Sequence, residues 1–379
     1  MGNKYYIILL LTFFLSDSCS KDTNIIPTID PNNSISPGVY LIQHTFQGKE
    51  LIIVGSNQYN FITSFENTSI SGELFEFAAI RDSLPVIMKD NYGGRWNIMG
   101  KAISGPAKGK FLKPTTSYMA YWFGFGTFYP SVDVYNLGTN NVEINDSISD
   151  GWLINKNMIS IGSLVPDAVP SIDSPEHINF KLRDFLNGFF VDDEELVLGL
   201  VIDGIPIAYP EKLLNWHEIV NDNIENKTIA VSYCPLTGSG MAWSRSINDQ
   251  ETTFGVSGLL YNSNLILYDR STKSYWSQMR QDCIHGDLIN TKTDNFSFLE
   301  TSWQTWKTIF PETRVLSQDT GYDWDYDTDP HGDYATNHNQ ISYPIVYYDN
   351  RIPSKERVHG IIVNGKALVF RFSDFGQLQ

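Results

Sequence analysis

From residue 40 onward, apolar positions alternate with polar ones over short stretches that end at Gly, Asn, Ser or Pro. Leu51-Ile52-Ile53-Val54 and the stretches 58–65, 74–79 and 86–89 are runs of this kind. Such runs, bounded by turn residues, predict β-strands. Helical periodicity is scarce, and the best candidates are 183–187, 211–221 and 302–309. The pattern predicts a mainly β chain with a few short helices, an α+β protein.

The pattern also repeats. Val86-Ile87-Met88-Lys89-Asp90 ahead of Trp96 resembles Leu265-Ile266-Leu267-Tyr268-Asp269 ahead of Trp276. Trp122, Phe125, Tyr129, Pro130 and Val134 recur as Trp303, Trp306, Phe310, Pro311 and Val315 at identical spacings. The stretch 195–204 matches 356–365, and these end in Asp203-Gly204 and Asn364-Gly365, a strong hairpin signal. Tandem related β-rich units follow from this. Residues 39–160 form a degenerate N-terminal copy in which Gly55-Ser56-Asn57-Gln58 stand roughly where the later copy has a cysteine turn. Residues 161–193 link it to the complete C-terminal copy at 194–318, and residues 319–379 hold an acidic-aromatic loop and a C-terminal β fragment. The loop, 321–334, lacks the order and the terminal Glu of an EF-hand and is expected to cover a groove.

Composition narrows the class. Of 379 residues, 42% are hydrophobic and 18% charged, which suits a large folded core. A formal charge of −16 would repel a phosphate backbone, so nucleic acid is excluded as a partner. At the N-terminus, Lys4 precedes an apolar run from Tyr5 to Leu15, too short to span a bilayer. Small residues then lead to Cys19. Residues 1–18 read as a lipoprotein signal peptide, Cys19 as the lipidated residue, and 19–38 as a polar tether. The chain is therefore expected in the periplasm or at the cell surface, lipid-anchored to the bacterial membrane, with plain secretion as the alternative.

The candidate chemistry centres on Val231-Ser232-Tyr233-Cys234-Pro235-Leu236-Thr237-Gly238, where an apolar run ends in a thiol followed by a tight turn. A thiolate is both a nucleophile and a metal ligand, and nearby cations or free amides lower its pKa. Thr237 occupies the second place of a Cys-x-x-Thr pattern, so the turn holds one thiol and a hydroxyl donor. His217 and Glu218 lie shortly before it and supply an imidazole and a candidate base. Cys283 and His285 form a Cys-x-His pair. Cys234, His217, Cys283 and His285 together are candidate ligands for a copper or zinc ion. Two bland readings compete: a buried Cys234 that only packs, and a Cys234–Cys283 disulfide formed on export. No Gly-x-Ser-x-Gly, Walker, dinucleotide-binding or His-Glu-x-x-His pattern occurs.

Several pieces in order carry a family resemblance: Ala208-Tyr209-Pro210, Leu214-Asn215-Trp216-His217-Glu218, Tyr233-Cys234-Pro235-Leu236, Gly255-Val256-Ser257-Gly258, Trp276-Ser277-Gln278, and Asp329-Pro330 with Gly332-Asp333-Tyr334. Over about 175–370 the chain resembles the bacterial family known as domain of unknown function 3179. The resemblance implies a Cys-Pro-Leu-Cys turn in many members, with selenocysteine at the second place in some. It places Cys234 and His217 at motif positions, and Thr237 departs from that pattern. The expected function is that of an exported, thiol-dependent redox or metal-binding lipoprotein centred on Cys234 and His217, with a protein or small-molecule partner not named by the sequence. The alternative is a non-catalytic surface module that binds a glycan or peptide through Trp216, Trp243, Trp276, Trp303 and Trp306.

Overall fold

A computed structural model describes residues 38–68, 74–140, 142, 151–183 and 190–376, which belong to one compact unit. The signal peptide, Cys19 and nearly all of the 19–38 tether lie outside the described residues. Within them the chain is mainly β with short helices. The first alternating runs become the strands Lys49–Ser56, Phe61–Glu66, Phe77–Ala79 and Val86–Asp90.

Asp203-Gly204 and Asn364-Gly365 each turn a hairpin with both residues at positive φ, the geometry that favours Asn or Asp followed by Gly. Each hairpin forms the centre of a five-stranded sheet. In one sheet the order is His177–Asn179, Arg314–Leu316, Ile205–Pro210, Leu196–Ile202, Phe298–Ser302. In the other it is Gly138–Thr139, Asp133–Val134, Lys366–Arg371, Arg357–Val363, Ser117–Tyr121. Both sheets contain one parallel pair, at Ile207↔Arg314 and at Leu368↔Asp133. A helix leaves the last strand of each, Trp303–Ile309 in the first and Trp122–Phe128 in the second. Strand and helix pack closely because the hairpin carries glycine beneath the helix. A Cβ on Gly199 would lie 2.2 Å from the Trp306 ring, and one on Gly360 would lie 2.1 Å from the Phe125 ring. The C-terminal hairpin thus completes its sheet with strands from 117–139.

Smaller features match as well. The Trp96 indole donates to Asp90 at 2.8 Å, and the Trp276 indole donates to Asp269 at 3.1 Å. Lys49–Ser56 and Lys227–Cys234 are both eight-residue central strands of antiparallel meanders, one ending in Ser56 and the other in Cys234.

The helices depart from the periodicity in three places. The expected 211–221 helix stops at His217. Glu218 takes φ 57°, and the β-branched Ile219 and Val220 continue as strand Ile219–Ile224. Near 183 the described helix is Phe180–Arg183, and the rest of the expected stretch lies outside the described residues. Trp122–Phe128 was not expected from its own sequence, because two glycines and three phenylalanines are weak helix formers. The third candidate matches: Trp303–Ile309 is helical, with Ser302 accepting the Thr305 N–H as its cap.

Candidate functional site

The cysteine turn forms as the residue order predicts. Cys234 ends its strand and pairs with Ser239 across the turn, and the Thr237 N–H donates to the Cys234 carbonyl at 3.2 Å. Gly238 is at φ 56°, and a Cβ there would lie 2.7 Å from the Tyr121 ring, so only glycine fits. A buried polar network pins the turn. The Asn264 amide donates to Thr237 Oγ1 at 2.9 Å and to Gln278 Oε1 at 2.7 Å, and Ser239 Oγ donates to the same Gln278 oxygen at 2.8 Å.

Cys234 is 1% exposed and belongs to a core cluster with Trp122, Phe125, Met241 and Met279. Its S–H points to the Ser263 carbonyl at 3.8 Å. Burial pushes the thiol up, as does the Glu218 carboxyl, while the Thr237 hydroxyl and the Thr237 and Leu265 amides pull the other way. The group at rest is a thiol, the opposite of the poise expected for a reactive thiolate.

His217 lies at the end of helix Glu211–His217 and serves a different region. Its Nδ1 meets the Pro170 carbonyl at 2.8 Å, and its Nε2 meets the Tyr326 hydroxyl at 2.6 Å. A carbonyl only accepts, so Nδ1 carries the proton and Nε2 accepts from Tyr326. Trp324 stacks on the ring at 4.8 Å, and burial lowers its pKa. Both nitrogens are therefore engaged away from Cys234, and His217 fastens the acidic-aromatic segment to the core. The Glu218 carboxyl is pushed up to about 7 by burial, so it is largely protonated below neutrality.

Cys283 and His285 separate. The Cys283 sulfur is in the core, donates to the His285 carbonyl at 3.4 Å, and is pushed up to about 12 mainly by burial. The His285 ring stacks on Trp152 at 4.2 Å and meets the Gly151 carbonyl through Nδ1 at 2.8 Å. Cys234 and Cys283 are both free, so the disulfide is not formed. The four proposed ligands are not brought together as one set, and no group of three or more His, Cys, Asp or Glu placed to hold a metal ion occurs among the described residues. Of the tryptophans of the stacking alternative, Trp243, Trp276, Trp303 and Trp306 are fully buried, and the half-buried Trp216 packs against Trp324.

The structure reveals instead a cavity of about 560 Å³ beside the cysteine turn. Tyr233, Pro235 and Gly238 line one wall, and Asp329, His331, Tyr334 and His338 line another, so part of the 321–334 segment borders the cavity. Between them lie Glu211, the first residue of its helix, Glu300 on the strand Phe298–Ser302, and Lys355 and Arg357 at the entry to the C-terminal hairpin. Arg357 donates through Nη2 to Glu300 Oε1 at 2.7 Å and through Nη1 to Asn60 Oδ1 at 2.8 Å. Burial and the neighbouring Glu300 push Glu211 well above the usual carboxyl range, while Arg357 and a hydrogen bond from Tyr233 oppose this. Glu211 therefore holds its proton more tightly than a free carboxyl does.

Among the described residues, the buried atoms on this lining without a hydrogen-bond partner include Asn57 Oδ1, Glu211 Oε1, Glu300 Oε2 and Lys355 Nζ, together with the Tyr334 hydroxyl. The Lys355 Nζ lies 3.0 Å from the centre of the Tyr334 ring and 5.0 Å from the centres of both Tyr121 and Phe123. Burial pushes its ammonium down to about 7, and the nearby Cys234 opposes this. Sequence reasoning missed these residues because they come from segments far apart in the chain. One local signal was present: Glu300 is a charged residue in a strand that is otherwise buried or half-buried.

No curated protein and no solved structure matches the chain. One family model does match, over residues 166–378, more than half of the sequence, and it takes in the cysteine turn together with Glu211, Glu300, Lys355 and Arg357. The chain belongs to the family described as "Protein of unknown function (DUF3179)".

Proposed function

We propose that the chain is an exported lipoprotein that binds a small polar molecule in the cavity beside the cysteine turn and acts on it by proton transfer. The observation that carries the reading is the set of unpartnered polar atoms on the cavity lining. A buried polar atom without a partner costs about 1–3 kcal/mol, and such groups persist where a ligand completes them. Glu211 is the acid, and Glu300 with Arg357 provides a fixed charge pair for orientation. The cysteine turn contributes shape, since Tyr233, Pro235 and Gly238 wall the cavity while the sulfur stays behind it.

The test uses stability. In the double variant Glu211→Leu with Tyr233→Phe, no hydroxyl is stranded by loss of the carboxyl. It is expected to gain about 1–3 kcal/mol in urea unfolding. Small hydroxylated compounds that raise the melting temperature of the parent are expected to lose that effect. A double variant less stable than the parent would mark Glu211 as a structural carboxyl and end the reading.

A thiol-dependent role for Cys234 is the second reading. It is favoured by the place of the sulfur between Tyr233 and Pro235, both of which line the cavity. Alkylation by iodoacetamide at neutral pH separates the two. Labelling of the folded chain at the rate of an exposed thiol would favour the thiol reading, whereas burial predicts labelling at least a hundredfold slower than in the unfolded chain.

A further inference from the structure

We infer that Lys355 is the amine of a covalent imine site for small hydroxy-aldehydes or hydroxy-ketones, an inference that rests on the cavity being a ligand site. Its Nζ is buried, has no hydrogen-bond partner, and borders a cavity large enough for a short-chain carbonyl compound. The rings of Tyr121, Phe123 and Tyr334 surround it, and among the described residues no carboxylate pairs with it. Desolvation of this kind is one way proteins keep a lysine amine free to attack carbonyl carbon. With its ammonium held near neutrality, a large share of the group is free amine at physiological pH.

The reaction balances without any further reagent. The Lys355 nitrogen pair forms a bond to the carbonyl carbon, the π pair moves to oxygen, and a proton passes from nitrogen to that oxygen to give a carbinolamine. The Glu211 carboxyl then protonates the hydroxyl, which leaves as water while the nitrogen pair closes the C=N bond. The iminium proton returns to Glu211. One amine and one carbonyl give one imine and one water. The ligand class follows from the lining: Glu300 is paired with Arg357, burial favours the protonated form of Glu211, and Asp329 and Glu356 add carboxylates to the same lining, so a neutral, hydroxyl-bearing carbonyl compound fits better than an anion. Asn57 Oδ1 and Glu300 Oε2 are free to accept from its hydroxyls.

The experiment traps the imine. The full chain is incubated with glycolaldehyde or dihydroxyacetone at neutral pH, reduced with borohydride, and mapped by peptide mass. Lys355 is expected to be labelled at least tenfold faster than the exposed Lys89 and Lys366, and Glu211→Gln is expected to slow Lys355 by roughly tenfold or more while leaving those two unchanged. Lys355→Arg, checked for folding by its melting temperature, is expected to carry label only on surface lysines. Labelling of Lys355 no faster than Lys89 overturns the inference and leaves an ammonium resting on aromatic faces as its role. If that occurs while the Glu211→Leu, Tyr233→Phe variant still gains stability, the imine falls and the cavity reading stands. If the double variant also loses stability, both fall.

Discussion

Burial pushes the His359 imidazole down to about 3, while its Nε2 meets the Ser64 hydroxyl at 2.8 Å. Between about pH 6.5 and 3 the unfolded chain binds a proton that the folded chain refuses, so this group lowers stability as pH falls, by at most ~1.4 kcal/mol per pH unit. Glu218 acts in the opposite sense. With its carboxyl near 7, the folded chain keeps a proton that the unfolded chain releases above about 4.5, so its contribution is lost as pH rises from 4.5 to 7. The two oppose each other from 4.5 to 6.5, and below 4.5 the imidazole acts without that opposition. Urea midpoints are expected to fall between pH 4.5 and 3.5, and His359→Leu is expected to flatten that limb. Leucine is chosen because Leu198 holds the matching place, directly before Gly199, in the other sheet. At this scale the sequence revealed the cysteine turn and the weight of residues near 217, but not their chemistry. A strand and turn pattern shows where a thiol stands along the chain, while the sign of its pKa shift depends on Glu218, Leu265 and the core around it. Glu211 and Lys355 were illegible because neither has a local partner in sequence.

The hairpins are the elements that the sequence specified most directly. Alternation followed by Asp-Gly or Asn-Gly fixes both turn and register, and Ile202↔Ile205 and Val363↔Lys366 close as that rule requires. The helices were less legible. Glu211 to His217 reads on into Ile219 and Val220 by periodicity alone, and only the left-handed backbone at Glu218 separates helix from strand. Trp122–Phe128 is helical because its faces are buried against the hairpin, which overrides the propensity of Gly124 and Gly126. This packing makes a prediction about glycine. Gly360→Ala and Gly199→Ala each force a Cβ into an aromatic ring, and each is expected to cost about 1–3 kcal/mol in chemical unfolding. A neutral result at either would mean that the helix above it can shift. Ser302→Ala, which removes the cap at Thr305, is expected to cost about 1 kcal/mol.

Across the whole molecule, the C-terminal hairpin belongs to strands that precede it by more than two hundred residues, since Arg357 pairs with Tyr121 and Ile361 with Ser117. Truncation before 357 is expected to abolish cooperative unfolding and expose the 117–134 segment to protease, since the Ser117–Tyr121 strand would lose its neighbour. The two ends of the described residues meet around one glycine. Tyr40 pairs with Gly55, the Phe375 ring covers that same glycine, and the Asn57 N–H donates to the Phe375 carbonyl at 3.4 Å. Sewing 376 to 38 with a few glycines and serines, without 1–37 and 377–379, then opening the chain at the solvent-facing Val165, would preserve every strand pairing of the described residues while changing their order of synthesis. The rewired protein is expected to melt within roughly 5 °C of its parent. In that order Arg357–Val363 would come about a hundred residues before Ser117–Tyr121 instead of more than two hundred after it, while Ile159–Ile161 would move farther from its partner Phe254–Tyr261, so one sheet closes over a shorter span and another over a longer one.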